Sequence, residues 1–132
     1  MKLMWEILVP TVRNDGRPIK TRFHRVWDQK VYAITGGLTI MPPTHGRWVS
    51  PSGKLFAERM IPVKIMATRA EMGQIVHMTA EYYEQEAVLA YVVSNEVLLH
   101  YRSEEAEMRA ALKEAIRNDP KQRAAQSLQS QS

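Results

Sequence analysis

LFAERMIPVKIMATRAEMGQIVHMTAEYYEQEAVLAYV, residues 55–92, is the stretch whose reading decides the fold. Its first part alternates, with Leu55, Ala57, Ile61, Val63 and Ile65 on one face, Glu58 and Lys64 on the other, and Arg59 as an exception. That period of two is the pattern of a half-buried strand. Pro62 has no N–H to give to a ladder, so the strand needs a bulge or an unpaired side at that point. The period then changes. Thr68-Arg69-Ala70-Glu71 matches a capping box, and Met72, Ile75, Val76, Thr79, Tyr83, Ala87 and Ala90 follow at helical spacing, which predicts a helix from about Arg69 to Val92.

Outward from this strand and helix, the N-terminal half repeats the order. Leu3 to Val12 is rich in β-branched and aromatic residues and ends at the loop Arg13-Asn14-Asp15-Gly16-Arg17-Pro18, which predicts a first strand. Behind a Thr21 cap, Phe23, Val26, Trp27, Val31 and Ile34 mark a helix from about Arg22 to Thr35, stopped by Gly36-Gly37. Leu38 to Met41 reads as a short strand, and Pro42 to Gly53 as a long punctuated loop. On the C-terminal side, Ser94-Asn95 breaks the second helix, Glu96 to Tyr101 reads as a fourth strand, and Ser103 caps a third helix. Glu104, Glu105 and Glu107 suit that helix's N-terminal dipole, Lys113 and Arg117 its C-terminal one, and Asn118-Asp119-Pro120 ends it. The Gln- and Ser-rich residues 121–132 are expected to be a disordered polar tail.

The order strand, helix, strand, strand, helix, strand predicts an α+β fold of the ferredoxin-like split β-α-β kind (βαββαβ). It has an antiparallel sheet with two helices on one face, a C-terminal helix, and a single domain over residues 1–120. Both helical stripes must hide on that face, so Trp27 and Ile34 are expected against Ile75, Val76 and Tyr83. The other sheet face needs a cover, and a homodimer supplies it.

Composition narrows the function. The chain has 132 residues, 45% of them hydrophobic, and no cysteine, which excludes disulfide scaffolds, thiolate metal sites and cysteine nucleophiles. The opening residues carry Glu6 inside a short apolar run and lead to no small-residue cleavage site, and no stretch spans a membrane, so a cytoplasmic protein is expected. The net charge of +4 is unevenly spread: residues 1–69 hold 12 Lys and Arg against 4 Asp and Glu, and residues 70–132 hold 6 against 10. Arg13, Arg17, Lys20, Arg22 and Arg25 fall in one basic stretch opposed by Asp15, a patch attractive to phosphates.

Gly36-Gly37-Leu38-Thr39, Gly46-Arg47-Trp48 and Tyr83-Glu84-Gln85-Glu86-Ala87-Val88-Leu89 together resemble a family of short uncharacterised bacterial proteins. That family shows a Gly-Leu-Thr strand start, a Gly-x-Trp turn and an aromatic-x-Gln-Glu-x-Val phrase on its last long helix. The resemblance spans roughly residues 5 to 101. It implies the same single-domain layout and no particular activity, and it marks Gln85 and Glu86 as polar residues with a specific task.

Several constellations offer chemistry. His77, Glu81 and Glu84 share a helical face with the donor types of a divalent metal, though without a second histidine a solvated face is the expectation and no metal or cofactor is assigned. His24 and Asp28, one turn apart, have the spacing in which a carboxylate orients an imidazole, or of an ordinary surface pair. Tyr83 lies on the apolar stripe, where its ring packs and its hydroxyl reaches a polar partner, with Glu84 beside it. His45, Arg47 and Trp48 lie in the long loop, placed either to close over a ligand or to plug the sheet edge. Gly36-Gly37 follows a helix instead of preceding one, so it is no phosphate loop.

The reading that results is a non-enzymatic dimeric binding module for an anionic ligand, a nucleotide or nucleic acid. Its ligand-binding residues are Arg13, Arg17, Arg22, Arg25, His45, Arg47, Trp48 and Gln85. Against nucleic acid, the strands carry no aromatic recognition phrase and the helices lack helix-turn-helix spacing. The alternative is a small-molecule enzyme using His24, Tyr83 and Glu84 as acid–base groups, which requires at least two of them to converge within hydrogen-bond reach.

Overall fold

In the computed structural model, which describes residues 1–117, two strands carry the sheet. β1 (Leu3–Pro10) pairs antiparallel along its whole length with β4 (Leu55–Ala67), from Leu3 opposite Ala67 to Pro10 opposite Met60. β5 (Ala90–Ser94) pairs antiparallel with the free side of β1, with a bulge at Met4/Trp5. The short β2 (Thr39–Ile40) and then β3 (Thr44–Val49) pair with the far side of β4. The order is therefore β2-β4-β1-β5. With α1 (Thr21–Thr35) after β1 and α2 (Arg69–Tyr82) after β4, this is the ferredoxin-like arrangement, an α+β fold with its two middle strands the first and third of the βαββαβ order.

One face of the sheet is the core. Ile7, Val9, Val63, Ile65 and Ala67 form a single buried cluster with Trp27 and Val31 of α1, Met72 and Ile75 of α2, and Tyr83 just beyond it. Ile34 and Val76 pack against this cluster, as the two stripes require. On the opposite face Met4, Leu8, Met60 and Met66 are half-buried. There Glu6 stands across from Lys64 on one side and accepts the Tyr91 hydroxyl on the other, a bond that pushes the Tyr91 phenol up to about 12.

Local chemistry sets the boundaries. Thr68 and Glu71 form both bonds of the capping box, and the Thr68 N–H holds the Glu71 carboxyl below its ordinary value. α1 starts one residue earlier than Arg22, with Lys20 at its cap position and no side-chain cap bond. It ends at Gly36, whose φ of 82° is the left-handed region that glycine reaches freely. Register runs unbroken through Pro62, whose carbonyl accepts the Met41 N–H at 2.9 Å. In a strand the nitrogen and carbonyl of one residue face the same neighbour, so the missing donor lies on the β2 side, where that strand is only two residues long.

Four expectations are corrected. β1 ends at Pro10 instead of Val12, which makes only an isolated bridge to Pro18. α2 ends at Tyr82, ten residues before Val92, because Glu84 takes a positive φ of 53° and the Gln85 N–H turns back to the Ala80 carbonyl at 2.9 Å. The closing strand is accordingly Ala90–Ser94, where Tyr-Val-Val fits a pleated surface, and Glu96–Tyr101 is irregular. The loop from Pro42 to Gly53 is in large part a hairpin arm. Thr44 to Val49 pair residue for residue with Met60 to Leu55, and Gly53 at φ 85° closes the turn. Gly46-Arg47-Trp48 thus lies in a strand and not in a turn.

The described residues fall into two compact units, Met1–Val97 and a second that begins at Leu98. The second unit contains α3 (Glu104–Arg117), where the Ser103 hydroxyl accepts the Ala106 N–H at 3.2 Å. The expected stop at Asn118-Asp119-Pro120 and the polar tail lie outside the described residues. Among those described, no helix is long and apolar enough to cross a membrane.

Trp27 is 1% exposed at the centre of the core. Trp27→Ala is expected to lower the unfolding free energy by about 3 to 5 kcal/mol, read by urea denaturation. A loss below about 1 kcal/mol is the size expected of an exposed position and would remove Trp27 from the core.

Candidate functional site

The turn after α2 and the loop after β1 meet at one end of the helix layer. The loop is a tight Asn-Asp-Gly turn in which Arg13 N–H donates to the Arg17 carbonyl at 2.7 Å and Gly16 N–H to the Arg13 carbonyl at 2.9 Å. It is tied to β4 by the Thr11 hydroxyl, 2.7 Å from the Arg59 carbonyl. It is tied to the end of α2 by Asn14, whose amide N–H donates to the Glu84 carbonyl at 2.8 Å while its oxygen accepts from Gln85 Nε2 at 3.3 Å. Gln85 Nε2 also donates to the Tyr83 carbonyl at 3.1 Å. The left-handed Glu84 turns its carbonyl toward Asn14, so the residue expected as an acid–base group contributes its backbone to the site.

These ties hold an aromatic layer beside the loop. Phe23 and Tyr82 stack with ring centroids 4.2 Å apart, and the Tyr82 hydroxyl donates to the Phe23 carbonyl at 2.8 Å. The Arg13 guanidinium lies over the Phe23 ring, 4.7 Å from its centroid, and the Lys30 ammonium is 5.8 Å from that of Tyr82. Cations so placed at an exposed surface each gain roughly 0.5–1 kcal/mol from the ring.

Beneath the layer, His24 Nδ1 lies 2.6 Å from the Tyr83 hydroxyl. Burial holds the His24 imidazole below its ordinary value. Burial, with the charge of Asp28 and the neighbouring Tyr82, pushes the Tyr83 phenol up. At neutral pH the phenol is therefore protonated and the imidazole uncharged, and the two share one hydrogen bond whose direction follows the imidazole tautomer. The arrangement binds and orients. Tyr83 is 5% exposed and its hydroxyl is engaged by His24.

Of the residues expected to serve a site, Arg13, His24, Tyr83 and Gln85 come together here, with Glu84 present through its backbone. Arg17 pairs instead with Asp15 at 3.0 Å, and Arg22 and Arg25 sit on α1, exposed and half-buried respectively. His45, Arg47 and Trp48 belong to the hairpin arm. Strand parity places His45, opposite Arg59, and Arg47, opposite Ala57, on the helix side of the arm. Trp48 is on the other side, stacked on Phe56 at 4.4 Å. Among the described residues no group of three or more His, Asp or Glu gathers as a metal-holding cluster, and α2 ends before Glu84, which separates the His77, Glu81 and Glu84 trio. Sequence reasoning missed Asn14, Phe23, Tyr82 and Lys30. Phe23 read as core, and only the adjacent pair Tyr82-Tyr83, two rings that a helix cannot bury on one stripe, signalled a second aromatic surface.

No protein-family model matches the chain, and no match is found among curated proteins. Solved structures do resemble it. The periplasmic divalent cation tolerance protein CutA from Archaeoglobus fulgidus superposes with a TM-score of 0.57 at 9% identity, covering 83% of this chain and 99% of that one. The divalent cation tolerance protein Cut A1 from Thermus thermophilus gives 0.54 at 9% identity, covering 83% and 94%. A phage SAM lyase in complex with S-methyl-5'-thioadenosine gives 0.50 at 15% identity, covering 75% and 85%. The likeness is one of fold alone.

His24 makes stability pH-dependent. Because its folded pKa lies below the ordinary 6.5, the unfolded chain binds a proton near that pH that the folded chain refuses, so stability falls as pH drops through this range. The decline stops once the folded imidazole itself titrates. Thermal unfolding from pH 7.5 to 5 is expected to show this loss, and His24→Gln to flatten it; an unchanged slope in the variant would show that His24 titrates as freely as an exposed histidine.

Proposed function

We propose that this chain is a non-enzymatic, cytoplasmic, homodimeric binding module for an anionic ligand, a nucleotide in preference to nucleic acid. The observation that carries the reading is the Arg13 guanidinium lying on the Phe23–Tyr82 stack. The guanidinium already covers the Phe23 ring, so a planar base would stack on the guanidinium and a phosphate would take its N–H groups, and Asn14 and Gln85 hold the loop in place before any ligand arrives. The helix-side cations of the arm, Arg47 and Arg59, add positive charge on the same side of the sheet, with His45 opposite Arg59. Among proteins of this fold, the phage SAM lyase is solved in complex with S-methyl-5'-thioadenosine, which shares the base of this ligand class but carries no phosphate. Cell fractionation checks the cytoplasmic location.

An acid–base enzyme acting on a small molecule is the second reading, favoured by the 2.6 Å approach of His24 and Tyr83. It is the weaker one, since each of the two groups is engaged by the other.

Titration calorimetry with ADP, and a gel shift with a single-stranded oligonucleotide, test the proposal at low and moderate salt. ADP is expected to bind with an affinity that falls as salt rises, and Arg13→Ala to weaken it about 10-fold, the loss of one charge-assisted contact. Failure of ADP to bind even at low salt, or an Arg13→Ala variant that binds it equally well, would contradict the nucleotide reading. A shift of the oligonucleotide without ADP binding would move the ligand to nucleic acid.

A further inference from the structure

The hairpin arm carries charge that nothing around it answers. β4 begins at Leu55 and meets the end of β1 only at Met60, so Leu55 to Arg59 pair with β3 alone and the arm projects past β1. On its helix side Arg47 stands opposite Ala57, and Arg59 opposite His45. The two arginines are therefore diagonal neighbours across the ladder, about 7–8 Å apart along the backbone and within reach of long side chains. Glu58, the one acid in residues 44–60, is opposite Gly46 and belongs to the other face. Both arginines are exposed, and among the described residues neither guanidinium enters an ion pair, a hydrogen bond or a ring contact. Like charges so placed weaken a ladder, and a bound anion reverses the sign.

The far face of the arm is closed. Trp48 stacks on Phe56 at 4.4 Å, the Lys54 ammonium lies 5.0 Å from the Phe56 centroid, and the Met60 methyl fills the space beside Gly46. A two-stranded hairpin is marginal by itself in water, and this cross-strand packing braces it. The arginines are thus presented by a strand pair already in place, which reduces the ordering that a ligand must impose.

At its base the arm joins the aromatic layer. The Thr11 hydroxyl donates to the carbonyl of Arg59 itself at 2.7 Å, and Arg13, two residues on, is at most about 7 Å of extended chain from Thr11. Arg13 lies on Phe23, on the same side of the sheet. Arg13, Arg59 and Arg47 therefore follow one another from the ring out along the arm, with Arg17 drawn off by Asp15. A row of guanidiniums leading away from a ring matches a chain of phosphates leading away from a base, since each guanidinium fits two phosphate oxygens.

We propose that the helix side of the arm is a polyphosphate seat, in which Arg59 and Arg47 hold the outer phosphates of a nucleoside triphosphate whose base and first phosphate lie at Arg13. His45, opposite Arg59, adds a ring N–H donor. This rests on the nucleotide reading above and names which nucleotide.

Titration calorimetry with AMP, ADP, ATP and inorganic tripolyphosphate tests it, in EDTA so that no divalent cation screens the phosphates. Affinity is expected to rise along the series, with ATP about 100-fold tighter than AMP, one charge-assisted contact for each added phosphate. Arg47→Gln and Arg59→Gln should each weaken ATP about 10-fold and leave AMP unchanged. Lys54→Gln, the same loss of charge on the far face of the arm, should leave the whole series unchanged, with circular dichroism showing all three variants folded. If AMP, ADP and ATP bind equally well and Arg13→Ala weakens all three, the nucleotide site stands and the seat on the arm is wrong. The seat is equally wrong if Lys54→Gln weakens ATP as far as Arg59→Gln does, because the arm then acts through its net charge alone. If tripolyphosphate binds through Arg47 and Arg59 while no nucleotide binds, the seat stands and the base reading above falls. If neither binds, both fall together.

Discussion

The indole N–H of Trp27 donates to the Thr79 hydroxyl at 2.9 Å, and that hydroxyl donates to the Ile75 carbonyl at 2.6 Å. Thr79 is fully buried and Trp27 nearly so, so leaving either polar group without its partner would cost about 1–3 kcal/mol in desolvation. Apolar packing of two helices on a sheet tolerates small slides and rotations, but this bond does not. It fixes one point of α1 against one point of α2, and the rest follows from helix geometry. Three residues back along α1 and four forward in the chain from Thr79 bring His24 to Tyr83. One step back from each brings Phe23 to Tyr82. The step from Trp27 and Thr79 to His24 and Tyr83 runs in opposite senses because the helices are antiparallel, as their places in the strand order demand.

The candidate site is thus built from the ends of elements positioned elsewhere. α1 contributes its first turn, α2 its last residues and the turn beyond, and β1 the loop that follows its end at Pro10. The Asn14 and Gln85 amides satisfy backbone groups that a helix end leaves open, and in doing so they clamp the loop against the aromatic layer. The same contacts close a helix and build a binding surface. The positive φ at Glu84 has the same double character, since it ends α2 and turns a carbonyl toward the loop.

Much of this was legible in the sequence. The change of period at Ala67-Thr68 gave both β4 and the start of α2, and the capping box formed as its spacing requires. Trp27 and Ile75 lay on stripes that had to meet. The end of α2 was illegible because Ala87 and Ala90 continue the helical spacing by coincidence, while the signals that stop the helix are long-range. Asn14 lies 70 residues from Glu84 in the chain, and no local pattern announces that pairing. The hairpin arm was hidden for a related reason. Thr44 to Val49 has no alternating apolar face, so only its register with Leu55 to Met60 shows it to be a strand. The basic stretch was visible as composition, but its members part company in space: Arg13 joins the rings, Arg17 pairs with Asp15, and which of them meets a ring depends on the tight turn between them.

Hydrogen exchange of the Trp27 indole N–H tests most directly whether the two helices are locked at this bond. Three indole resonances are expected, one for each tryptophan, and Trp27→Phe assigns the one in question. The Trp27 proton should exchange only through global unfolding, with a denaturant dependence equal to that of the whole domain. The half-exposed Trp48 indole should exchange far faster. A Trp27 indole that exchanges as readily as that of Trp48, in a protein otherwise fully folded, would show that α1 and α2 are not held at this point and that the site they frame is not preformed.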